Sequence, residues 1–367
     1  MRAFADRVRA LRRLVALHPG VASSVAGCVA VVAALAVTLA LVGQTAPAPP
    51  KSVAAVKLRP VVPVTPKPKP KKKGPLLDPF TGEPVKSLGR VLAVKIDNIV
   101  YARPQTGLGD ADIVYVIPVE GGLTRFMAVF SSHIPPVVGP VRSARESDLY
   151  LLKQFGRPAF AWSGATPHLV PFVERARIVD LYDELVGGYY RSSSRVAPYN
   201  LYANTPQLMR EAPKASKARD IGFRFGALPS GGTARKSYTV NYPATTFTFR
   251  WSAKDKRWLV WMDGAPGMTT DTGQLGGSTV IIQYTWIGTS RFEEYGGRPP
   301  LAESTGSGRA VILRNGRAYT VHWSRPNANG GTTYTLPDGK RMLFAPGQVW
   351  VVLAPEDHDS YENAAAV

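Results

Sequence analysis

Between Leu14 and Gly43 the chain contains no Asp, Glu, Lys or Arg. Within that span Val25–Val42 (VAGCVAVVAALAVTLALV) is apolar almost throughout, close to the roughly 20 residues a helix needs to cross a bilayer. Residues 1–13 carry five arginines against Asp6, and a basic flank of this kind stays on the cytoplasmic side. These features predict a basic cytoplasmic segment over 1–19 and one transmembrane helix, a signal anchor, over 20–43. Two other readings fit the same residues. One is a cleavable signal, with Ala46-Pro47-Ala48 offering small residues after the apolar run. The other is lipidation at Cys28, because Val25-Ala26-Gly27-Cys28 has a lipobox-like pattern. Each of the three places the bulk of the chain outside the cytoplasmic membrane.

The formal charge of +19 would suit a nucleic-acid ligand if it were carried by a folded domain. It is not. Residues 1–13 account for +4 and residues 44–75 for +8, which leaves only +7 for the rest of the chain. The 44–76 stretch interleaves those cations with proline and ends in KPKPKKK; it buries too little to fold and reads as an extended linker. A cationic spacer beside a membrane or an anionic wall accounts for the charge, and no nucleic-acid partner is expected. Cys28 is the sole cysteine, so the exported part has neither a disulfide nor a thiol nucleophile.

After the linker the hydrophobic pattern resolves into two halves. In residues 77–225, Arg90–Ile96, Ile113–Val119 and Leu123–Ser131 read as strands, with Gly121-Gly122 as a tight turn between the last two. Ser143–Phe155 reads as an amphipathic helix capped by Ser143, with Glu146 three residues on. Strand and helix signals then alternate through Ala159–Trp162, Pro167–Ala176, Ile178–Leu181 and Thr205–Arg210. Residues 226–354 differ, with short β-branched and aromatic runs at Thr245–Trp251, Arg257–Met262, Thr279–Trp286, Ala310–Leu313, Arg317–Trp323 and Gln348–Leu353. Asn315-Gly316 and Asp338-Gly339 are strong hairpin turns. The expected fold class is α+β: an N-terminal mixed α/β domain followed by a smaller, mostly antiparallel β domain, sandwich-like or a partial barrel, preceded by one transmembrane helix. Residues 355–367 read as a polar, flexible tail.

Several segments, taken in order, resemble one family. VKIDN (94–98), ARPQTGL (102–108), ADIVYVIPVEGGLTRFMAVF (111–130), GPVRSARESDL (139–149) and RVAPYNLY (195–202) are similar to the N-terminal domain of the YerB-like bacterial lipoproteins. GRAVILRNGRAYTVHWSRP (308–326) and GKRMLFAPGQVWVVL (339–353) are similar to that family's smaller C-terminal domain. The resemblance spans roughly residues 77–354. It implies the two-domain boundaries and an extracytoplasmic location, and it implies no activity.

The chemistry concentrates between Val91 and Tyr150, where charged residues sit at strand ends among glycine and proline turns. No GxxxxGK[ST] or GxGxxG stands at a strand–helix junction, Ser163 lacks a GxSxG elbow, and the histidines have no metal-ligand spacing. Asp110 and Asp112 read as a solvated turn rather than a cation site. No metal or cofactor is expected. Asp97 and Glu120, each ending a strand, are the candidate catalytic carboxylates for glycoside cleavage, with ion pairing to neighbouring arginines, Glu120 to Arg142 or Arg145, as the competing use. The sharper expectation is an anion-binding rim built from Arg103, Arg125, Arg142, Ser143, Arg145 and Asp148. Arg142 and Arg145 bracket Ser143 at a helix start, where free N–H groups favour an anion, and guanidinium forks grip carboxylate or phosphate bidentately. Arg191, Arg195, Tyr199 and Asn200 extend the rim. The function expected is that of a single-pass membrane protein of the cell envelope, its C-terminal domains extracytoplasmic, binding an anionic wall polymer or peptidoglycan; the alternative is a wall-modifying hydrolase using Asp97 and Glu120.

Overall fold

The computed structural model describes residues 74–293 and 297–356. The expected anchor over 20–43, Cys28 and most of the linker and tail lie outside the described residues. Among the described residues no helix is long and apolar enough to cross a membrane.

The protein is mostly β-sheet with few helices. The α-helices are short: Glu146–Leu152 (α1), Val170–Glu174 and Thr205–Glu211. An 11-stranded sheet dominates. Its centre is formed by Leu92–Asp97 (β1), Ile113–Pro118 (β2) and Thr124–Phe130 (β3), with β3 antiparallel to both neighbours. All three strands are buried along their whole length, as the near-continuous apolar runs require of strands covered on both faces. Beyond β1 the strands Ala159–Trp162 and Val179–Tyr182 add in parallel, so this part of the sheet is mixed.

The sheet does not stop at the end of the first half. On the far side of β2 the strand Val349–Pro355 pairs in parallel, with Ile113 opposite Val349 and Val116 opposite Val352. Thr279–Thr285, Gly306–Arg314, Arg317–Arg325 and Thr333–Thr335 follow in order. A self-contained antiparallel sandwich or barrel in the second half is therefore corrected: its longest strands extend the first half's sheet. The fully apolar run VWVVLA (349–354) is the physical reason, since a strand with no polar face belongs in the middle of a sheet. Asn315-Gly316 does form the expected hairpin, both residues at positive φ, between Gly306–Arg314 and Arg317–Arg325. A second, five-stranded sheet built on Ser237–Tyr242, Thr245–Ser252 and Arg257–Met262 packs its Phe247 and Phe249 toward Phe126 and Trp350 of the large one.

The helix expected from Ser143 starts later. Arg142 N donates to Lys95 O (2.9 Å) and Ala144 N to Gly164 O (3.0 Å), so 142–144 are held extended beside β1. The N-cap is Arg145, and the capping carboxylate is Asp148 from within the helix, accepting from Arg145 N at 2.7 Å.

Candidate functional site

Side chains two apart on a strand share a face, so Lys95 and Asp97 of β1 project together. Register places Lys95 opposite Met127 and Asp97 opposite Arg125 on β3, which puts Arg125 on the same face. α1 covers that face. Its Asp148 meets Lys95, Nζ to Oδ1 at 2.7 Å, and both side chains are fully buried. Burial pushes the Lys95 ammonium below its usual range, and the Asp148 charge opposes that shift. The pair forms the foundation of the site rather than its surface.

Above this foundation, at the C-terminal end of β1, a cleft of about 130 Å³ is lined by Asp97, Ile99, Val119, Glu120, Leu123, Thr124, Arg125, Arg142 and Tyr199. Asp97 Oδ2 accepts from Arg142 Nε at 2.8 Å, and its Oδ1 accepts from Asn98 N at 2.8 Å. Glu120 pairs with Arg145 Nε, and Arg145 also donates to Ala144 O. Both candidate carboxylates are thus held by arginines of the 139–145 segment, the use weighed against catalysis from the sequence.

Arg125 is different. Its Nη1 donates to Ser143 O at 3.1 Å, and among the described residues no carboxylate lies within ion-pair distance of it. Burial, reinforced by Arg145, pushes its pKa down to about 10, against the pull of Glu120 and Asp97. The guanidinium remains charged at neutral pH, in a cleft, without an ion-pair partner of its own among the described residues.

The cleft therefore brings together Asp97, Glu120, Arg125, Arg142 and Tyr199, with Arg145 directly behind Glu120. Other expected rim residues serve elsewhere. Arg103 Nη1 reaches Asp263 at 2.7 Å and its Nε donates to Asn98 O at 3.0 Å, which fastens the 98–103 turn to the second sheet. Arg195 Nη2 donates to Pro104 O at 2.6 Å. Asn200 is buried, accepting from Arg191 and donating to Ser192 O and Arg195 O, so it closes its own loop. Asp148 is buried under the cleft, and Ser143 contributes its carbonyl rather than its hydroxyl. The helix N-terminus is not an anion site either, since α1 is seven residues long and Asp148 occupies its capping position. Ser163 Oγ donates to Val141 O at 3.4 Å and joins no His among the described residues. Asp112 is buried with Ser132 rather than solvated in a turn.

Sequence reasoning passed over Lys95 and the apolar lining of Ile99, Val119 and Leu123. Lys95 had a signal: a charge two residues before Asp97 in an otherwise apolar strand demands a buried partner. The apolar lining had none, because residues at strand ends look alike whether they face a cleft or a core.

Comparison with known proteins follows the same division. A model of "Protein of unknown function (DUF3048) N-terminal domain" matches residues 80–219, and one of the corresponding C-terminal domain matches residues 238–351. Over 279 residues the chain is 28% identical to a protein of Bacillus subtilis (strain 168) described as "Putative lipoprotein YerB", covering 73% of this chain and 82% of that one. The crystal structure of the YerB protein from Bacillus subtilis matches with a TM-score of 0.66 and 26% identity, over 78% of this chain and 98% of that one. The resemblance carried by the VKIDN to RVAPYNLY motifs is borne out.

Proposed function

The chain belongs to the DUF3048 family, carrying its N- and C-terminal domains in order, and on that premise we propose that it is a membrane-anchored, extracytoplasmic protein of the bacterial cell envelope that binds an anionic wall component in the cleft around Arg125. The location is supported by the relative described as a lipoprotein and by the uncharged segment containing Cys28 ahead of a Pro/Lys-rich spacer. Attachment through a membrane-spanning 20–43 helix and attachment through a lipid on Cys28 lead to the same placement.

Arg125 carries the binding reading. A buried cation is costly unless paired, and this one lines an open cleft with, among the described residues, a single backbone carbonyl as its hydrogen-bond acceptor. A ligand carboxylate or phosphodiester would supply the missing counter-charge through a guanidinium fork. Arg142, positioned by Asp97, stands across the same cleft as a second donor. The hydrolase alternative has no comparable support, because both carboxylates it needs are committed to arginines.

The test uses the compact unit beginning at Lys72, freed of most of the cationic linker, and isolated wall sacculi. Retention should fall as salt is raised and should be lost in Arg125→Met, while the muropeptide composition stays as it was. Equal retention of parent and Arg125→Met refutes the reading, and release of new fragments by the parent would favour the hydrolase.

A further inference from the structure

The floor of the cleft is charged, but its mouth is aromatic. From Asp97 a row of side chains runs outward to solvent. Asp97 holds Arg142 at 2.8 Å, the Arg142 guanidinium lies 5.9 Å from the centre of the Tyr199 ring, and Tyr199 packs on Tyr101 with centroids 5.7 Å apart and planes inclined by 31°. At the outer end Tyr101 is 66% exposed, beside Val100 at 61%. The turn that presents Tyr101 is fixed from below. Ala102 is buried, its N donates to Ile99 O at 2.8 Å, and Arg103 ties Asn98 to Asp263. An aromatic face held in place at a cleft mouth is pre-organised to receive something.

The dimensions limit what that is. At about 130 Å³ the cleft is well below the roughly 300–1,000 Å³ that encloses a drug-sized ligand, so it takes a head group while the remainder lies across the mouth. Arg145 is engaged by Glu120 and Arg142 is held through its Nε by Asp97, which leaves the Arg125 fork as the principal grip with Arg142 beside it, enough for a singly charged head group such as one carboxylate. A pyranose ring presents an apolar C–H face to an aromatic ring and polar groups at its edge. A lipid tail would need an apolar groove continuing past Tyr101.

We infer that the ligand is a sugar residue bearing a single carboxylate, with the carboxylate on Arg125 and the C–H face of the ring on the Tyr101–Tyr199 shelf. The assignment rests on the reading of the cleft as an anion site and names the class of anion.

The test uses the full chain in detergent micelles and ligand-observed NMR titrations with four probes. Peptide-stripped glycan strands of alternating N-acetylglucosamine and N-acetylmuramic acid carry both ring and carboxylate, chitotetraose has the rings alone, lactate has the carboxylate alone, and trialanine has a carboxylate on a peptide. The glycan should bind at least tenfold more tightly than chitotetraose, roughly the effect of a charged hydrogen bond. Tyr101→Ala should weaken the glycan about fivefold, the scale of one aromatic contact, and Tyr101→Trp should restore it. Both variants should leave the lactate titration unchanged, which shows the cleft intact. If Tyr101→Ala leaves glycan binding as it was, or if trialanine binds as tightly as the glycan, the sugar assignment is overturned while the anion site stands. If Arg125→Met binds lactate and glycan like the parent, the anion site itself is refuted and the sugar assignment falls with it.

Discussion

Asp97 and Arg125 face one another across the antiparallel pair of β1 and β3, yet the Asp97 carboxylate closes on Arg142, 2.8 Å away, and Arg125 turns its Nη1 to Ser143 O. The carboxylate thus spends its strongest contact on positioning one arginine while its field still favours the charge on the other. That relationship separates the binding reading from the hydrolytic one.

Asp97→Asn should tighten anion binding. The amide keeps an oxygen for Asn98 N, removes a negative charge beside two guanidinium groups, and turns its NH2 toward Arg142 Nε, which releases the Arg142 fork for the ligand. At the effective dielectric of about 20 found near a protein surface, and a charge separation of roughly 8 Å within the cleft, this amounts to about 2 kcal/mol, or about thirtyfold in Kd. Retention on sacculi at increasing salt measures it. A catalytic Asp97 demands the reverse, a loss of product without a gain in binding.

The Lys95–Asp148 pair predicts strong non-additivity. Lys95→Met leaves a buried carboxylate with its partner gone and should cost about 3–5 kcal/mol in urea denaturation. Adding Asp148→Asn removes the stranded charge, and its side-chain oxygen can still cap Arg145 N. The double variant should therefore be more stable than Lys95→Met alone. Simple addition of two losses would show that the pair is not coupled.

Asp112 sets a pH dependence remote from the cleft. Burial raises its pKa from 3.8 to about 7, with hydrogen bonds from Ser132 opposing the shift. Between those values the folded chain holds a proton that the unfolded chain has released, so stability falls as pH rises through that window. The full effect is on the order of 4 kcal/mol at about 1.4 kcal/mol per pKa unit. Asp112→Asn should match the parent near pH 4 and melt at a higher temperature at pH 8. Parallel melting curves across that range would rule out Asp112 as the titrating group.

Much of this arrangement is legible in the residues alone, and the failures share a cause. β1, β2 and β3 follow from apolar runs bounded by turns, and charges at their ends mark out Asp97, Glu120, Arg125 and Arg142 as cleft residues. Partner choice is not legible. Arg103, Arg195 and Asn200 carry the same chemistry as the cleft residues, but they close on Asp263, Pro104 O and their own loop through contacts that only the tertiary fold creates. The helix start moved from Ser143 to Glu146 for the same reason, since pairing with Lys95 O and Gly164 O outweighs a local capping preference. The union of β2 with Val349–Pro355 has a local hint only in the missing polar face of VWVVLA.

The two glycines after Glu120 look equivalent in sequence and are not equivalent in the fold. Both have positive φ, 64° at Gly121 and 68° at Gly122. A Cβ on Gly121 would meet nothing within 4 Å, so Gly121→Ala should cost only the backbone strain, about 1–2 kcal/mol. A Cβ on Gly122 would lie 2.6 Å from Pro243 Cβ and 3.0 Å from Ala244 N, whose N–H donates to Gly122 O at 3.0 Å. Gly122→Ala must push the turn away from the second sheet, and that turn carries Glu120 and Leu123 of the cleft wall. It should lose more stability than Gly121→Ala and weaken anion retention as well, whereas Gly121→Ala should bind like the parent. Thermal melts paired with sacculus retention distinguish the two, and equal losses in both assays would mean that the 120–123 turn does not position the cleft wall.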